Sequence, residues 1–123
     1  MTMKTIKVAE ATERQLDWLV AKCEKVELDH IERSKAGGAW LWLYRDEDDR
    51  YVLYTPSTNW AQGGPIIERE GLLIRPQPGS GWDSWKHGAD TPHYSTGPTA
   101  LIAAMRCYAN KLGETAEVPE ELL

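Results

Sequence analysis

The chain has 123 residues, 41% of them hydrophobic and 27% charged. That length and balance point to one globular domain over residues 1–123 and exclude pervasive disorder. The formal net charge of −5 argues against a non-specific nucleic-acid binder, and no apolar run reaches the roughly 18 residues that a membrane helix needs.

Residues 1–9 form a short lead in which Ile6 and Val8 alternate around Lys7. It reads as an edge strand or as a segment docked on the body. Met1 to Lys4 lack the apolar core of a secretion signal. Thr12-Glu13-Arg14-Gln15 then reads as a capping box. Leu16, Leu19, Val20 and Cys23 follow at the spacing of one buried helical stripe, so a helix is expected over residues 12–25. Residues 27–38 are polar, close on Gly37-Gly38 and read as a loop.

Two apolar runs, Trp40 to Tyr44 and Tyr51 to Tyr54, flank Asp46-Glu47-Asp48-Asp49. This pattern predicts a β-hairpin with Tyr44 facing Tyr51 and Trp42 facing Leu53. Both faces of the hairpin are apolar, so both are expected to be covered. The four acids read as a solvated tip, because they lack the spaced ligands and central glycine of a calcium loop.

Pro65 after Gly63-Gly64 suits the first position of a helix, and Gly71 suits the residue past its end. A short helix is expected at about 65–70, with or without a preceding turn from Trp60. Leu72-Leu73-Ile74 is a third strand ended by Pro76 and Pro78, and Trp82 to Lys86 a fourth. Alternation puts Trp82 and Trp85 on opposite faces of that strand. Residues 88–97 read as loop. Gly97-Pro98 opens the last helix, whose stripe is Leu101, Ala104, Met105, Tyr108 and Leu112, with Gly113 ending it. Residues 114–123 form an acidic tail. The class is α+β: a mainly antiparallel sheet of about four strands packed by two long helices and one short one.

No complete catalytic signature is present. Ser57 and Ser95 stand near His93 without a nucleophile elbow, and Glu68 and Glu70 do not share a helix face. The three histidines (His30, His87, His93) show no zinc spacing with Cys23 or Cys107. No catalytic residue, metal or cofactor is therefore assigned. The two cysteines make no disulfide scaffold and fit a reducing cytosol.

The binding candidates are Asn59, Trp60, Gln62, Gly63 and Gly64 at one helix start, and Gly97, Pro98 and Thr99 at another. A helix start presents free N–H groups and a partial positive charge, which suits an anion. Glycine lets a ligand approach the backbone. Trp60 offers a stacking face, and the Asn and Gln amides both donate and accept. The competing reading of each stretch is a plain cap.

Trp60-Ala61-Gln62-Gly63-Gly64-Pro65-Ile66-Ile67-Glu68-Arg69-Glu70 and Gly97-Pro98-Thr99-Ala100-Leu101-Ile102-Ala103-Ala104-Met105-Arg106 resemble a family of small proteins from tailed phages and prophages, catalogued as domain of unknown function 2591. Leu112-Gly113-Glu114 through Val118-Pro119 support the likeness, which covers most of residues 5–119. The departure is at residues 29–51, where this chain carries a longer hairpin region. The resemblance implies phage origin and an accessory role in the host cytoplasm. It carries no reaction and no catalytic residue. Two partners follow from these readings: an anionic, nucleotide-like small ligand, or a host protein met by an acidic, Trp-rich surface. A homo-oligomer is compatible with either, and a membrane partner is not expected.

Overall fold

The computed structural model describes residues 2–35, 38–45, 50–88 and 93–123, residues 44 and 45 by their backbone alone. Among these are three helices and eight strands, an α+β arrangement. β1 (Met3–Lys7) pairs antiparallel with β8 (Thr115–Pro119), Met3 opposite Pro119, and so joins the two ends of the chain. β2 (His30–Arg33), β3 (Ala39–Arg45) and β4 (Arg50–Leu53) form a second sheet in that order. β5 (Leu72–Pro76), β6 (Trp82–Lys86) and β7 (Ser95–Gly97) form a third, and every pairing is antiparallel.

The single four-stranded sheet expected from the sequence is thus three separate sheets. The cause is a double helical layer between two of them. α3 (Ala100–Ala109) packs on β5, β6 and β7 and also against α1 (Glu13–Glu24), and α1 in turn packs on β3. Leu101, Ile102, Ala103, Ala104, Met105, Tyr108 and Ala109 of α3 are all buried, as a helix covered around its circumference must be. α1 buries Leu16, Leu19 and Val20 against Met105 and Leu101, and turns Ala21 toward Leu41, Tyr54 and Leu122. Each large apolar side chain removed from water in these clusters contributes roughly 1.5–3 kcal/mol.

α1 starts and ends within a residue of expectation. Gln15 Oε1 accepts from the Thr12 amide at 3.0 Å, the back-reaching half of the box, and its Nε2 donates to the Leu122 carbonyl at 3.1 Å, which docks the C-terminal turn. The hairpin register is the expected one, Tyr44 opposite Tyr51 and Trp42 opposite Leu53; its acidic tip at 46–49 lies outside the described residues.

Other expectations are corrected. The polar stretch 27–38 contains β2, whose backbone pairs with β3 although only Ile31 among its residues is apolar. α2 spans Trp60–Glu70 and is no shorter than α3, so the helices do not divide into two long and one short. Asn59 caps it, and Pro65 lies inside it, where the proline lacks the amide that would reach the Ala61 carbonyl. Gly71 ends it in the left-handed region at φ 66°, where glycine carries no steric cost. The stretch 88–97 contains β7, and the tail contains β8. Leu112 falls in a 3-10 turn after α3 and is 39% exposed, outside the buried stripe. Among the described side chains the hairpin sheet's two faces are covered unequally: Leu41, Ala39 and Tyr54 are buried, whereas on the other face Trp42 and Leu53 are half-buried and Trp40 is 39% and Tyr51 53% exposed.

Candidate functional site

The candidate residues divide by what they touch. Asn59 Oδ1 accepts from the Ala61 amide at 2.9 Å and is a helix cap. Gln62 points inward: its Oε1 accepts from the Thr55 amide at 2.6 Å and its Nε2 donates to the Leu53 carbonyl at 2.8 Å. It ties the end of β4 to the turn before α2. Gly63 is a packing glycine, because a Cβ there would lie 2.6 Å from Leu101 Cδ1. Gly64 faces no atom within 4 Å of such a Cβ. Gly97 is buried where β7 meets α3, 2.7 Å from the Ala103 nitrogen by the same measure. Thr99 Oγ1 accepts from the Ile102 amide at 3.1 Å and caps α3.

Trp60, Pro98 and Thr99 come together. They line a groove of about 480 Å³ whose other walls include Glu13, Thr58 and Trp82. Trp60 is 54% exposed there. A second concavity of about 410 Å³ shares Glu13, Pro98 and Ile102 with the first and adds Thr12, Arg14 and Arg106. Gln62, Gly63, Gly64 and Gly97 line neither. The first turns of all three helices, beginning at Glu13, Trp60 and Ala100, border this surface. Each brings first-turn amides without intrahelical acceptors and the positive end of a helix dipole.

Four charged groups set the electrostatics: Glu13, a wall of both concavities, pairs with Arg14 at 3.5 Å, and Arg106 and Asp17 stand beside them. Arg106 lines the second concavity; its Nη1 donates to the Thr96 carbonyl and its Nη2 to the Ala11 carbonyl, each at 2.9 Å. Its Nε is buried without a partner, and among the described residues no carboxylate forms an ion pair with it. Burial lowers its pKa from the usual arginine range. Beneath the first groove, Asp17 is fully buried. It accepts from the Ser57 amide at 2.8 Å and from Arg14 Nη1 at 2.6 Å. Burial raises its carboxyl from 3.8 to about 6, against the opposing pull of the Ser57 hydrogen bonds and Arg14.

Two of the groups weighed for catalysis, Ser57 and Glu70, are committed elsewhere. The Ser57 hydroxyl donates to the Glu13 carbonyl at 3.1 Å. Arg69 pairs with Glu24 and, through Nε at 3.0 Å, with Glu70, while Tyr108 donates its phenol to Glu24. Among the described residues no group of His, Cys, Asp and Glu is placed to hold a metal, and no helix is long and apolar enough to cross a membrane. The sequence singles out Trp82 only as one of two tryptophans on opposite strand faces and gives no sign of Arg106 as a groove residue; Asp17 lines neither concavity and supports the wall through Ser57. A signal existed for Asp17, since Arg14 stands three residues before it on the same helix face.

A family model described as bacteriophage P22 NinX matches residues 7–111. The chain belongs to that family. The matched span holds all three helices, both concavities' main walls and both motif stretches, and it excludes β8. No curated protein matches the chain. As a member of the NinX family the chain is a phage protein. The family description carries no reaction and no ligand.

Proposed function

We propose that this NinX-family member is a small accessory protein that works by binding without catalysis, as one domain in the cytoplasm of the host. Its ligand is anionic, and nucleotide-like in carrying a flat ring. The single observation that supports this is the meeting of three helix starts around one concave surface beside the exposed face of Trp60. The anion would sit against the first-turn amides near Thr99 and Ala100, with Trp60 stacking on the ring. Arg106, unpaired with any described carboxylate, adds positive charge to the adjoining concavity. Capture of a signalling nucleotide without turnover would make such a protein a counter-defence factor. The motif stretches that resemble domain of unknown function 2591 both fall inside the matched span, which supports reading the two family descriptions as one.

The test is a thermal-shift series with ATP, a cyclic dinucleotide and inorganic phosphate. A ligand bound only by the native state raises the melting temperature. The reading expects at least one of the three to do so, and Trp60→Ala to remove the shift while melting near the parent temperature. No shift with any of them, or a shift that survives Trp60→Ala, overturns it.

A further inference from the structure

We infer that the solvent face of the β2–β3–β4 sheet docks a basic protein segment, whose Arg or Lys side chains lie over Trp40 and Tyr51 and pair with Glu32. The register builds this face. His30 stands opposite Trp42, Glu32 opposite Trp40, and Trp42 opposite Leu53. Period-two alternation puts Tyr51 on the same side as Leu53. The reverse face, with Leu41 fully buried, is the one that meets α1 and Leu122. The outer face therefore carries a row of rings. His30 stacks on Trp42 with centroids 6.3 Å apart and meets Tyr51 edge-on at 5.5 Å. Trp40 and Tyr51 remain 39% and 53% exposed.

Charge selects the occupant. The outward register positions named above hold one carboxylate, Glu32, and no Lys or Arg. Among the described residues Glu32 makes no ion pair. Asp29 adds a second acid at the rim, bonded to His30 at 2.6 Å. Single-stranded nucleic acid also stacks on aromatic sheets, but it needs cations for its phosphates, and this face supplies acids. A second copy would bring the same net charge of −5, which repels. A cationic side chain suits both features, because aromatic faces attract cations. One such contact is already made within the chain: the Arg14 guanidinium carbon lies 4.8 Å from the Trp40 ring centroid.

The test uses the full chain and a fluorescently labelled hexa-arginine peptide, read by anisotropy at low salt. The expected result is saturable binding that Tyr51→Ser and Glu32→Lys each weaken about tenfold, the worth of one or two such contacts. Glu117→Lys makes the same charge change on exposed β8 and is expected to weaken binding less than about twofold, the residue of long-range screening. Trp40→Ala is a further probe, and Tyr51→Ser and Glu32→Lys decide the matter if it does not fold. Trp60→Ala should leave peptide binding unchanged, which separates this surface from the groove. The inference is overturned by absence of peptide binding, by equal losses in Glu32→Lys and Glu117→Lys, or by tighter binding of oligo-dT than of hexa-arginine.

Discussion

The backbone amide of Ser57 donates to the carboxylate of Asp17 at 2.8 Å, which fastens the turn leading into α2 to the middle of α1. The two residues lie forty positions apart in the chain. Ser57 also donates its hydroxyl to the Glu13 carbonyl, and Arg14 reaches Thr58 at 3.4 Å. The groove wall that carries Thr58 and Trp60 is therefore held in place by the first two turns of α1.

Asp17 makes stability depend on pH in a stated direction. Its carboxyl titrates at about 6 when folded, against 3.8 ordinarily, so the folded chain holds the proton more tightly than the unfolded one. The associated stability is full below about pH 4 and is lost as pH rises through 6. A displacement of that size is worth roughly 3 kcal/mol. Asp17→Asn keeps an acceptor for Ser57 and removes the titration. Urea unfolding between pH 4 and 7 should show the parent losing about 2–2.5 kcal/mol relative to Asp17→Asn, the part of the displacement that falls in that window; parallel curves would sink the idea.

Gly63 and Gly64 should respond oppositely to the same methyl group. A Cβ on Gly63 runs into the Pro56 carbonyl oxygen and into Leu101, whereas one on Gly64 meets nothing within 4 Å. Gly63→Ala is expected to cost about 3 kcal/mol or more, because the Pro56 backbone cannot yield as a side chain can. Gly64→Ala should stabilise the helix by about 0.5–1 kcal/mol. Thermal melts of the two variants check this. A Gly64→Ala variant as damaged as Gly63→Ala would show that α2 packs differently.

That contrast also explains which parts of the fold could be read in advance. α1 and the core half of α3 declare themselves through caps and stripes, which are local patterns. The 42–53 pairing follows from the spacing of its aromatic runs. β2 carries one apolar residue, Ile31, because its role is backbone pairing with β3, and no side-chain pattern marks that. β1 and β8 meet across the whole chain, Met3 to Pro119, beyond the range of any local signal. Gly63-Gly64-Pro65 looks like a helix opening, yet tertiary packing sets α2 five residues earlier, with Gly63 placed under Leu101. Among the candidate site residues, Trp60, Pro98 and Thr99 share a groove because they lie at helix starts. Gln62 is drawn inward by the orphan amide of Thr55 and carbonyl of Leu53, partners that sequence spacing does not reveal.

Cys23 and Cys107 are free thiols, each half-buried, and burial raises the pKa of both. The thiolate is the reactive species. With Ellman's reagent at pH 8 both should react more slowly than glutathione, and at the full rate once urea unfolds the chain. A thiol that reacts in the native protein as fast as glutathione would show that its helix face is open.

Arg106 is expected to act first as a strap. Its two hydrogen bonds run to the carbonyls of Thr96, on β7, and Ala11, ahead of α1. They bind the start of one helix to the strand before another, and both concavity walls depend on that spacing. Arg106→Met preserves the aliphatic stem and removes both donors. Bonds from a charged donor are worth about 1.5–3 kcal/mol each in mutational series. Because Thr96 is exposed, water can replace part of its bond, so the expected loss is about 2–3 kcal/mol in total. Arg106→Lys keeps the charge and can reach one carbonyl at a time, so it should recover roughly half of that stability. If Arg106 instead served only as an anion receptor, Arg106→Met would melt like the parent or higher, since a half-buried positive charge without a carboxylate partner among the described residues would have been removed. Urea titrations of the parent and the two variants, without added ligand, separate these outcomes.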